Sequence, residues 1–397
     1  MSIQPLNHPI PADELPADLA EFCRPDVPIA KRKAAAGGLV PLPPPKLITV
    51  LYQLAHDPDA SIAPVARTTL EKLPEQVLQG GLISAEINPR VLDLLADIHI
   101  KNPSVLEAII LNRSVADATM NRLAKDLRDD RLLELVAINE QRLLRAPQII
   151  ENFYLNRHAR MSTAQRLVEL AVRNNVELKG LPVYREIMMA LSGQAAPEPE
   201  KELAAEPTAT DLMFQHALAV GGEAFKEAGE FGETGEEEEF DDDLLAEMEF
   251  DSFDASGDDD KNNVQFAISK MNVSEKIRLA QIGTGMHRAI LIRDTNKLVY
   301  ESVIKSPAMS IQEVVKISMN RSMHEDVIRI IADNRDWTKM YSIKANLVNN
   351  PKTPLGKAMG FLSHLRDRDL KAVAANKNIP SSVATAAKNL LKRKSGG

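Results

Sequence analysis

The feature that most constrains the fold is an internal repeat with a step of 44 residues. The segment NPSVLEAIILNRSVADATMNRL, which begins at Asn102, aligns without a gap with APQIIENFYLNRHARMSTAQRL, which begins at Ala146. Eight of the 22 positions are identical, and they include the triplets Leu111-Asn112-Arg113 and Leu155-Asn156-Arg157. Because a shared apolar period alone would match fewer positions, we interpret the two segments as copies of one structural unit.

The C-terminal part of the chain repeats at nearly the same step. SPAMSIQEVV begins at Ser306 and NPKTPLGKAM begins at Asn350, which is 44 residues later. DVIRIIADNRDW at Asp326 is followed 43 residues later by DLKAVAANKNIP at Asp369. NRS also opens similar segments in both halves of the chain. The same kind of unit is therefore predicted in the N-terminal and C-terminal halves.

The spacing of apolar residues inside each unit predicts helices. KLITVLYQLAHD places Leu47, Leu51 and Leu54 on one helical face, and Asp57-Pro58 breaks the helix before a second amphipathic segment. Asn-Pro and Ser-Pro are typical of helix starts. The Asn or Ser side chain can cap the helix, and proline at the first helical position lacks only a backbone N–H that would have no partner within the helix. We expect Asn-Arg to end helices, with asparagine in the left-handed conformation and arginine at the negative end of the helix dipole.

A unit of about 44 residues that contains two or three short helices is typical of helical solenoids. Its length resembles that of HEAT and armadillo repeats, and the NPxxP-like turns are similar to those of variant leucine-rich helical repeats. The motifs LIRDTNKLV, NRS, NPKTP and NKNIP resemble an uncharacterised bacterial helical-repeat family. The resemblance is clearest over residues 265–395 and looser over 46–192, and it implies a fold without implying a function.

Composition divides the chain into four predicted segments. Residues 1–45 hold ten of the 24 prolines and are predicted to be a largely disordered tail. Residues 46–192 form an N-terminal helical-repeat arm. Residues 193–262 form a disordered acidic linker with possible short helices, one of them over 208–228. Residues 263–397 form a basic C-terminal arm, so the predicted fold is an all-α solenoid in two arms.

Charge is distributed unevenly along the chain, whose net charge is −8. Residues 1–192 carry −1, residues 193–260 carry −21 and residues 261–397 carry +14. The basic arm favours contact with acidic proteins or with nucleic acid phosphates. Aromatic residues that could stack on bases are scarce there, and no recognised nucleic-acid motif is present.

Two sets of cations are candidate interface residues. Arginines that follow asparagine at the ends of repeats either compensate helix dipoles or form an anion-binding rim. The last residues of the chain concentrate further positive charge, which suits a helix C-terminus or a polyanion. The candidates are Arg113, Arg157, Arg321 and Arg335, the lone tryptophan Trp337, and Lys388, Lys392, Arg393 and Lys394.

The acidic stretch EEEEFDDDLLAEMEFD, residues 236–251, contains apolar residues at helical spacing. It is either a solvated linker or a binding segment that folds onto a groove, for which the basic arm is the nearest candidate. Salt should weaken such docking. The candidate contact residues are Phe240, Leu244, Leu245, Met248 and Phe250.

No catalytic, cofactor-binding or metal-binding residue is predicted. The eight histidines lack metal-ligand spacing, and Gly283-Thr284-Gly285 lacks the motif of a phosphate loop, so we interpret it as a turn between helices. Cys23 is the single cysteine and excludes an internal disulfide. The sequence shows no signal peptide and no apolar run long enough for a membrane span, so a cytoplasmic location is expected.

These features predict a non-enzymatic scaffold or adaptor that binds protein partners on its helical-repeat surfaces. One alternative is a nucleic-acid-associated protein that uses residues 261–397. A second alternative is a DNA glycosylase-like enzyme on a HEAT-like scaffold, for which Asp336 beside Trp337 is the only sequence basis. Nothing in the sequence sets the oligomeric state.

Overall fold

A computed structural model of the chain describes residues 8–84, 87–192, 206–226 and 258–395. Every regular element in these ranges is helical, and no strand occurs within them. The predicted all-α class is therefore confirmed.

The chain divides into two compact units. The first comprises Met1–Gly180 with Glu200–Glu206, and the second comprises Leu181–Pro199 with Pro207–Gly397. The division falls after Gly180, whereas the sequence suggested a boundary at residue 192. The last helix before the acidic region therefore belongs to the second unit.

Twelve helices lie in the described part of the first unit. They are α1 (Ala17–Cys23), α2 (Ile29–Ala36), α3 (Pro44–Leu54), α4 (Ala63–Glu71), α5 (Glu75–Leu82), α6 (Pro89–Ile98), α7 (Pro103–Leu111), α8 (Asp117–Asp126), α9 (Asp130–Val136), α10 (Glu140–Arg145), α11 (Gln148–Leu155) and α12 (Met161–Arg173).

The proline-rich N-terminus differs from its prediction. Residues 8–45 contain α1, α2 and the start of α3, and they bury Leu19 and Cys23 in the core. Pro16, Pro28 and Pro43 immediately precede these three helices. Because proline costs little at a helix start, the prolines here begin three short helices instead of keeping the chain extended.

Helices of the first unit contact neighbours close in sequence. Most pack on the next helix, and many also pack on the next but one, as α3 packs on α5, α5 on α7 and α7 on α9. Their apolar side chains face inward, and Ile48, Leu92 and Phe153 are completely buried. Short helices of this kind depend on their neighbours, because none covers its apolar face alone.

The second unit contains twelve further α-helices and one 3₁₀ turn, Trp337–Lys339, among its described residues. The α-helices are α13 (Tyr184–Ser192), α14 (Ala209–Lys226), α15 (Asp258–Ser269), α16 (Val273–Ile282), α17 (Gly285–Leu291), α18 (Lys297–Ile304), α19 (Ile311–Met319), α20 (Glu325–Asp333), α21 (Tyr341–Asn349), α22 (Leu355–Leu362), α23 (Asp367–Ala375) and α24 (Ser381–Ser395).

The region predicted as an acidic linker between two arms has a different place in the fold. Helix α14, which matches the helix expected over 208–228, packs against α15, and both belong to the second unit. Residues 227–257 therefore connect two packed helices of one unit, and we call them the acidic insert. Helix α13 packs on α16 and α18 of the same unit. The insert itself and residues 193–205 lie outside the described residues.

Helix boundaries partly follow the predicted signals. Asn102 caps α7 by accepting a hydrogen bond from Val105 N, and Pro103 is the first helical residue, as expected. Gly283-Thr284-Gly285 is the predicted turn, between α16 and α17. In contrast, Ser306-Pro307 and Asn350-Pro351 precede α19 and α22 by several residues, because Ser310 and Pro354 are the cap residues of those helices.

Candidate macromolecule-binding surfaces

The asparagines that mark the repeat are buried links between helices. Asn112 ends α7, and its Nδ2 donates to the carbonyl oxygens of Leu82 at 2.5 Å and Ser84 at 3.1 Å, just at and after the end of α5. Its Oδ1 accepts from the backbone nitrogen of Ser114 at 2.8 Å. One side chain thus shapes the turn after its own helix and satisfies carbonyls of an earlier helix.

Two further asparagines make the same contacts, and we call these three residues the linking asparagines. Asn156 Nδ2 donates to the carbonyls of Ala124, in the last turn of α8, and Leu127, just after it, each at 2.9 Å. Asn350 Nδ2 donates to the carbonyl of Ser318 at 2.9 Å, in α19. All three linking asparagines are at most 8% exposed. The sequence repeat therefore encodes a polar link that occurs in both units.

The left-handed conformation predicted for asparagine before arginine is wrong for Asn112 and Asn156. Asn112 has φ −69° and ψ 130°, and Asn156 has φ −77° and ψ 125°, which is extended backbone. Among the described residues other than glycine, only Asn175 has a positive φ. The extended conformation leads the chain away from the helix, and the side-chain bonds replace the backbone bonds of a left-handed cap.

The arginines that follow asparagine at the repeat ends are exposed. Arg113, Arg321 and Arg335 make no ion pair with any described residue, and Arg157 is also exposed. Because the asparagine before each one is at least half-buried, only the arginine of each Asn-Arg pair is available at the surface. The structure thus separates a structural residue from a surface cation at each of these positions.

Repeated tyrosine–aspartate contacts connect helices in the second unit. The Tyr300 hydroxyl donates to Asp326 Oδ2 at 3.2 Å, and Lys297 Nζ lies 3.0 Å from the same carboxylate. The hydrogen bond from Lys297 lowers the pKa of Asp326, and burial together with Asp326 raises the pKa of Tyr300. Tyr341 donates in the same way to Asp369. These groups tie α18 to α20 and α21 to α23.

Positive charge in the second unit is concentrated at its C-terminal end. Residues 261–336 hold 12 basic and eight acidic residues, whereas residues 337–397 hold 12 basic and two acidic residues, a net charge of +10. Both carboxylates of the later stretch are engaged, Asp367 by Lys394 at 2.8 Å and Asp369 by Tyr341. The excess charge therefore belongs to the last helices of the unit.

Helix α24 presents a basic and polar face to solvent. Val383 and Ala387 are buried against α22 and α23, while Lys388, Lys392 and Arg393 are exposed. We call five exposed cations of α23, α24 and the turn between them the C-terminal basic face. Its members are Lys371, Lys377, Lys388, Lys392 and Arg393. Lys371, Lys377, Lys388 and Arg393 make no ion pair within the described residues.

Helix α14, which leads into the acidic insert, is fixed to other helices of the second unit by buried contacts. Phe214 of α14 is 1% exposed, and the Arg278 guanidinium of α16 lies 5.1 Å from its ring centroid. His287 of α17 is fully buried; its Nε2 lies 2.8 Å from the Ala217 carbonyl, and its Nδ1 accepts from Thr284 N at 3.0 Å. Since Nδ1 is an acceptor, Nε2 carries the proton and donates to α14.

Surface hydrophobic side chains lie near both charged regions. Leu355 and Met359 of α22, a helix that packs on α24, are 49% and 42% exposed. Leu212 of α14 and Phe266 of α15 are 61% and 63% exposed. Both kinds of surface thus mix apolar and charged groups, as binding surfaces commonly do.

The structure places the remaining predicted residues as follows. Trp337 is half-buried in the 3₁₀ turn, and Lys394 pairs with Asp367. Cys23 is buried, and burial raises the pKa of its thiol to about 12. Phe240, Leu244, Leu245, Met248 and Phe250 lie outside the described residues. The sequence reasoning missed the linking role of the asparagines, although their fixed repeat position was a usable signal.

The described residues contain neither a metal-binding cluster nor a membrane-spanning helix. Nowhere in residues 8–84, 87–192, 206–226 and 258–395 do three or more His, Cys, Asp or Glu side chains form a group that could hold a metal ion. Over the same ranges, none of the helices combines the length and apolar character that crossing a membrane requires.

Comparison with known proteins gives no match: no protein-family model, curated protein or solved structure is significantly similar to this chain. The resemblance to helical-repeat proteins therefore rests on the repeated motifs and on the helix contacts described above.

Proposed function

We propose that the chain is a helical-repeat scaffold that binds protein partners through exposed side chains of serially packed helices. In this proposal the helices stack as a solenoid in each unit, and the protein is cytoplasmic and has no catalytic role. The linking asparagines carry the proposal, because the same buried contact in both units is what tandem stacking requires. Stacking also sets the exposed arginines at regular intervals.

The partner chemistry that suits these arginines is an acidic protein segment. Arg113 is exposed without an ion pair among the described residues, and a guanidinium binds carboxylates in a bidentate manner. Several such cations at regular intervals would bind an extended acidic peptide better than any one would alone.

Charge reversal of the arginines tests this function. Full-length R113E/R157E should capture at least about tenfold less of a nuclease-resistant protein partner from native lysate, since each reversal replaces attraction by repulsion. The matched control is R173E, which reverses an exposed arginine of α12 that does not follow the repeat asparagine. Equal capture by both variants would contradict the proposal.

A second candidate function is nucleic-acid binding by the C-terminal basic face. The net charge of +10 over residues 337–397, with both carboxylates engaged, favours it. Phosphate binding releases counterions, so retention on an oligonucleotide should fall steeply with salt. K388E/K392E/R393E should abolish retention at about 0.1 M salt, whereas K270E/R293E/R329E should retain most of it. Binding that is insensitive to salt and to both variants would exclude this function.

A further inference from the structure

We propose that the acidic insert, residues 227–257, docks on the C-terminal basic face of the same chain. The inference goes beyond the proposed scaffold function, because it assigns an occupant to a surface that does not include Arg113 or Arg157. Four observations support it: charge, attachment, reach and surface character.

The acidic insert and the C-terminal basic face carry opposite charges. The insert contains 14 acidic residues and no basic residue. Residues 370–397 contain six basic residues and no acidic residue. Five basic residues of 261–336 have a carboxylate neighbour, such as Arg288 beside Glu313 at 2.9 Å, whereas four of the five members of the C-terminal basic face have none among the described residues. The face therefore carries the largest unbalanced positive charge of this unit.

Attachment at both ends keeps the insert close to the face. It leaves α14 at Lys226 and returns at Asp258 to α15, and these helices pack against each other. Phe214 and the His287–Ala217 hydrogen bond fix α14 to α16 and α17 of the same unit. Tethered ligands of this kind experience an effective concentration on the order of millimolar. Individually weak ion pairs can then give substantial occupancy.

The insert is long enough to reach the face. Its 31 residues span at most about 100 Å when extended, so a loop anchored at both ends reaches about 50 Å from its base. From α14, where the insert begins, the path to α24 runs through α16, α18, α20, α21 and α22. At roughly 8–10 Å per packed pair, these six steps sum to about 50–60 Å, which is comparable with the reach of the insert.

The surface character of the face also matches the insert. Apolar Leu355 and Met359 lie exposed on α22, next to α24. The insert mixes acidic residues with Phe240, Leu244 and Met248 at helical spacing. An acidic peptide with apolar residues is therefore a better partner for this mixed surface than a purely ionic polymer.

Lysine acetylation of the full-length chain tests the contact. One variant replaces all 14 acidic residues of the insert by Gln or Asn. At about 20 mM salt, acetylation of Lys377 and Lys388 should be at least about twofold slower in the wild type than in this variant. The difference should disappear at about 0.5 M salt, and the exposed first-unit residues Lys125 and Lys179 should react equally in both chains. Equal rates at Lys377 and Lys388 in low salt would overturn the proposal.

Proteolysis supplies an independent measurement. Cleavage after glutamate within the insert should accelerate at least about twofold in K388E/K392E/R393E. The control K270E/R293E/R329E reverses three exposed cations of the same unit outside the face and should leave the rate unchanged. Equal rates in wild type and both variants would overturn the proposal, as would equal acceleration in both variants.

Two further outcomes identify other occupants. Protection of Lys388 that is lost on tenfold dilution would show that the insert of a second copy binds, and it would overturn the intrachain contact. An oligonucleotide that protects Lys388 equally in the wild type and the acid-neutralised variant would identify nucleic acid as the occupant. Both results are distinct from failure of the scaffold function, which is measured at Arg113 and Arg157.

Discussion

At the scale of single residues, the buried amides of the linking asparagines connect parts of the chain that lie about 30 residues apart. Asn156 is 5% exposed, donates to the carbonyls of Ala124 and Leu127, and accepts from His158 N at 2.8 Å. A smaller side chain would leave these groups without partners. Unsatisfied buried polar groups cost about 1–3 kcal/mol each, so asparagine here contributes more than an ordinary helix end.

Replacement of Asn156 by alanine tests this contribution. N156A should lower the free energy of unfolding by about 2–4 kcal/mol, because several buried groups lose their hydrogen bonds together. N174A is the control: Asn174 is exposed and bonds only the Leu170 carbonyl of its own helix, so the loss should stay below about 1 kcal/mol. Urea unfolding followed by far-UV circular dichroism measures both. Equal losses in N156A and N174A would show that the hydrogen bonds of Asn156 contribute no more to stability than those of an ordinary helix end.

His99 gives the first unit a predictable dependence on pH. Burial is the main cause that lowers the pKa of His99 from 6.5, and its Nε2 lies 3.2 Å from the Leu70 carbonyl. The unfolded chain therefore takes up the proton first as the pH falls. The free energy of unfolding should be constant well above pH 6.5 and should decrease below it.

The variant H99Q tests the sign of this effect. Between pH 7.5 and 5.5 it should lose less stability than the wild type, because one group that binds protons preferentially in the unfolded chain is gone. His56 and His158 also have a lowered pKa, so part of the dependence should remain. The measurement is the urea dependence of hydrogen exchange in α6 and α7. If H99Q loses as much stability as the wild type between pH 7.5 and 5.5, His99 does not cause this pH dependence.

At the scale of helices, a buried ion pair connects the N-terminal helices to the rest of the first unit. Arg32 of α2 contacts Asp57, which follows α3, with Nη1 at 2.6 Å and 2.5 Å from the two carboxylate oxygens. Their side chains are 7% and 1% exposed. Arg32 Nε also donates to the Val27 carbonyl. The pair thus ties α2 to the turn before α4.

Removal of one partner should loosen α2 specifically. D57A leaves the Arg32 guanidinium buried without its counter-charge and should cost about 3–5 kcal/mol. R32M/D57L removes both charges and should recover much of the loss, because buried ion pairs cost about as much in desolvation as they return. Amide exchange in α2 is the readout. If the double variant is as unstable as D57A, packing rather than charge explains the effect.

Several elements were predictable from the sequence for definite physical reasons. The all-α class follows from helical periodicity, and the turn at Gly283–Gly285 follows from its glycines. The N-terminal helices α1 and α2 were missed, since proline density was taken as a sign of disorder although three prolines precede helix starts. The conformation of Asn112 was missed because its partner Leu82 is 30 residues away, and local propensity does not register such contacts.

The candidate surfaces were predictable to a similar degree. The arginines and terminal lysines were proposed as interface residues from position and charge, which are properties of the sequence, and this assignment remains a prediction. Which of these cations have carboxylate partners required the structure. Pairs such as Lys305–Glu186 at 2.5 Å join residues that are far apart in sequence.

At the scale of the whole molecule, the division of the chain determines which fragments retain their cores. Helix α13 belongs to the second unit, where Val183 and Ile187 are buried. Glu186 is 3% exposed and pairs with Lys305 of that unit. The boundary expected from sequence, residue 192, would separate this helix from its core.

Fragments cut at the two boundaries distinguish them. The fragment 181–397 should be more stable than 193–397 by about 2 kcal/mol or more, since the shorter one loses the burial of Val183 and Ile187 against α16 and α18. Trp337 is the only tryptophan, so its fluorescence reports unfolding of this unit in urea. The fragments 1–180 and 1–192 should show equal midpoints by circular dichroism. If the fragments 193–397 and 181–397 are equally stable while 1–180 is less stable than 1–192, α13 belongs to the first unit. The Glu186–Lys305 pair then adds nothing to the stability of the second unit.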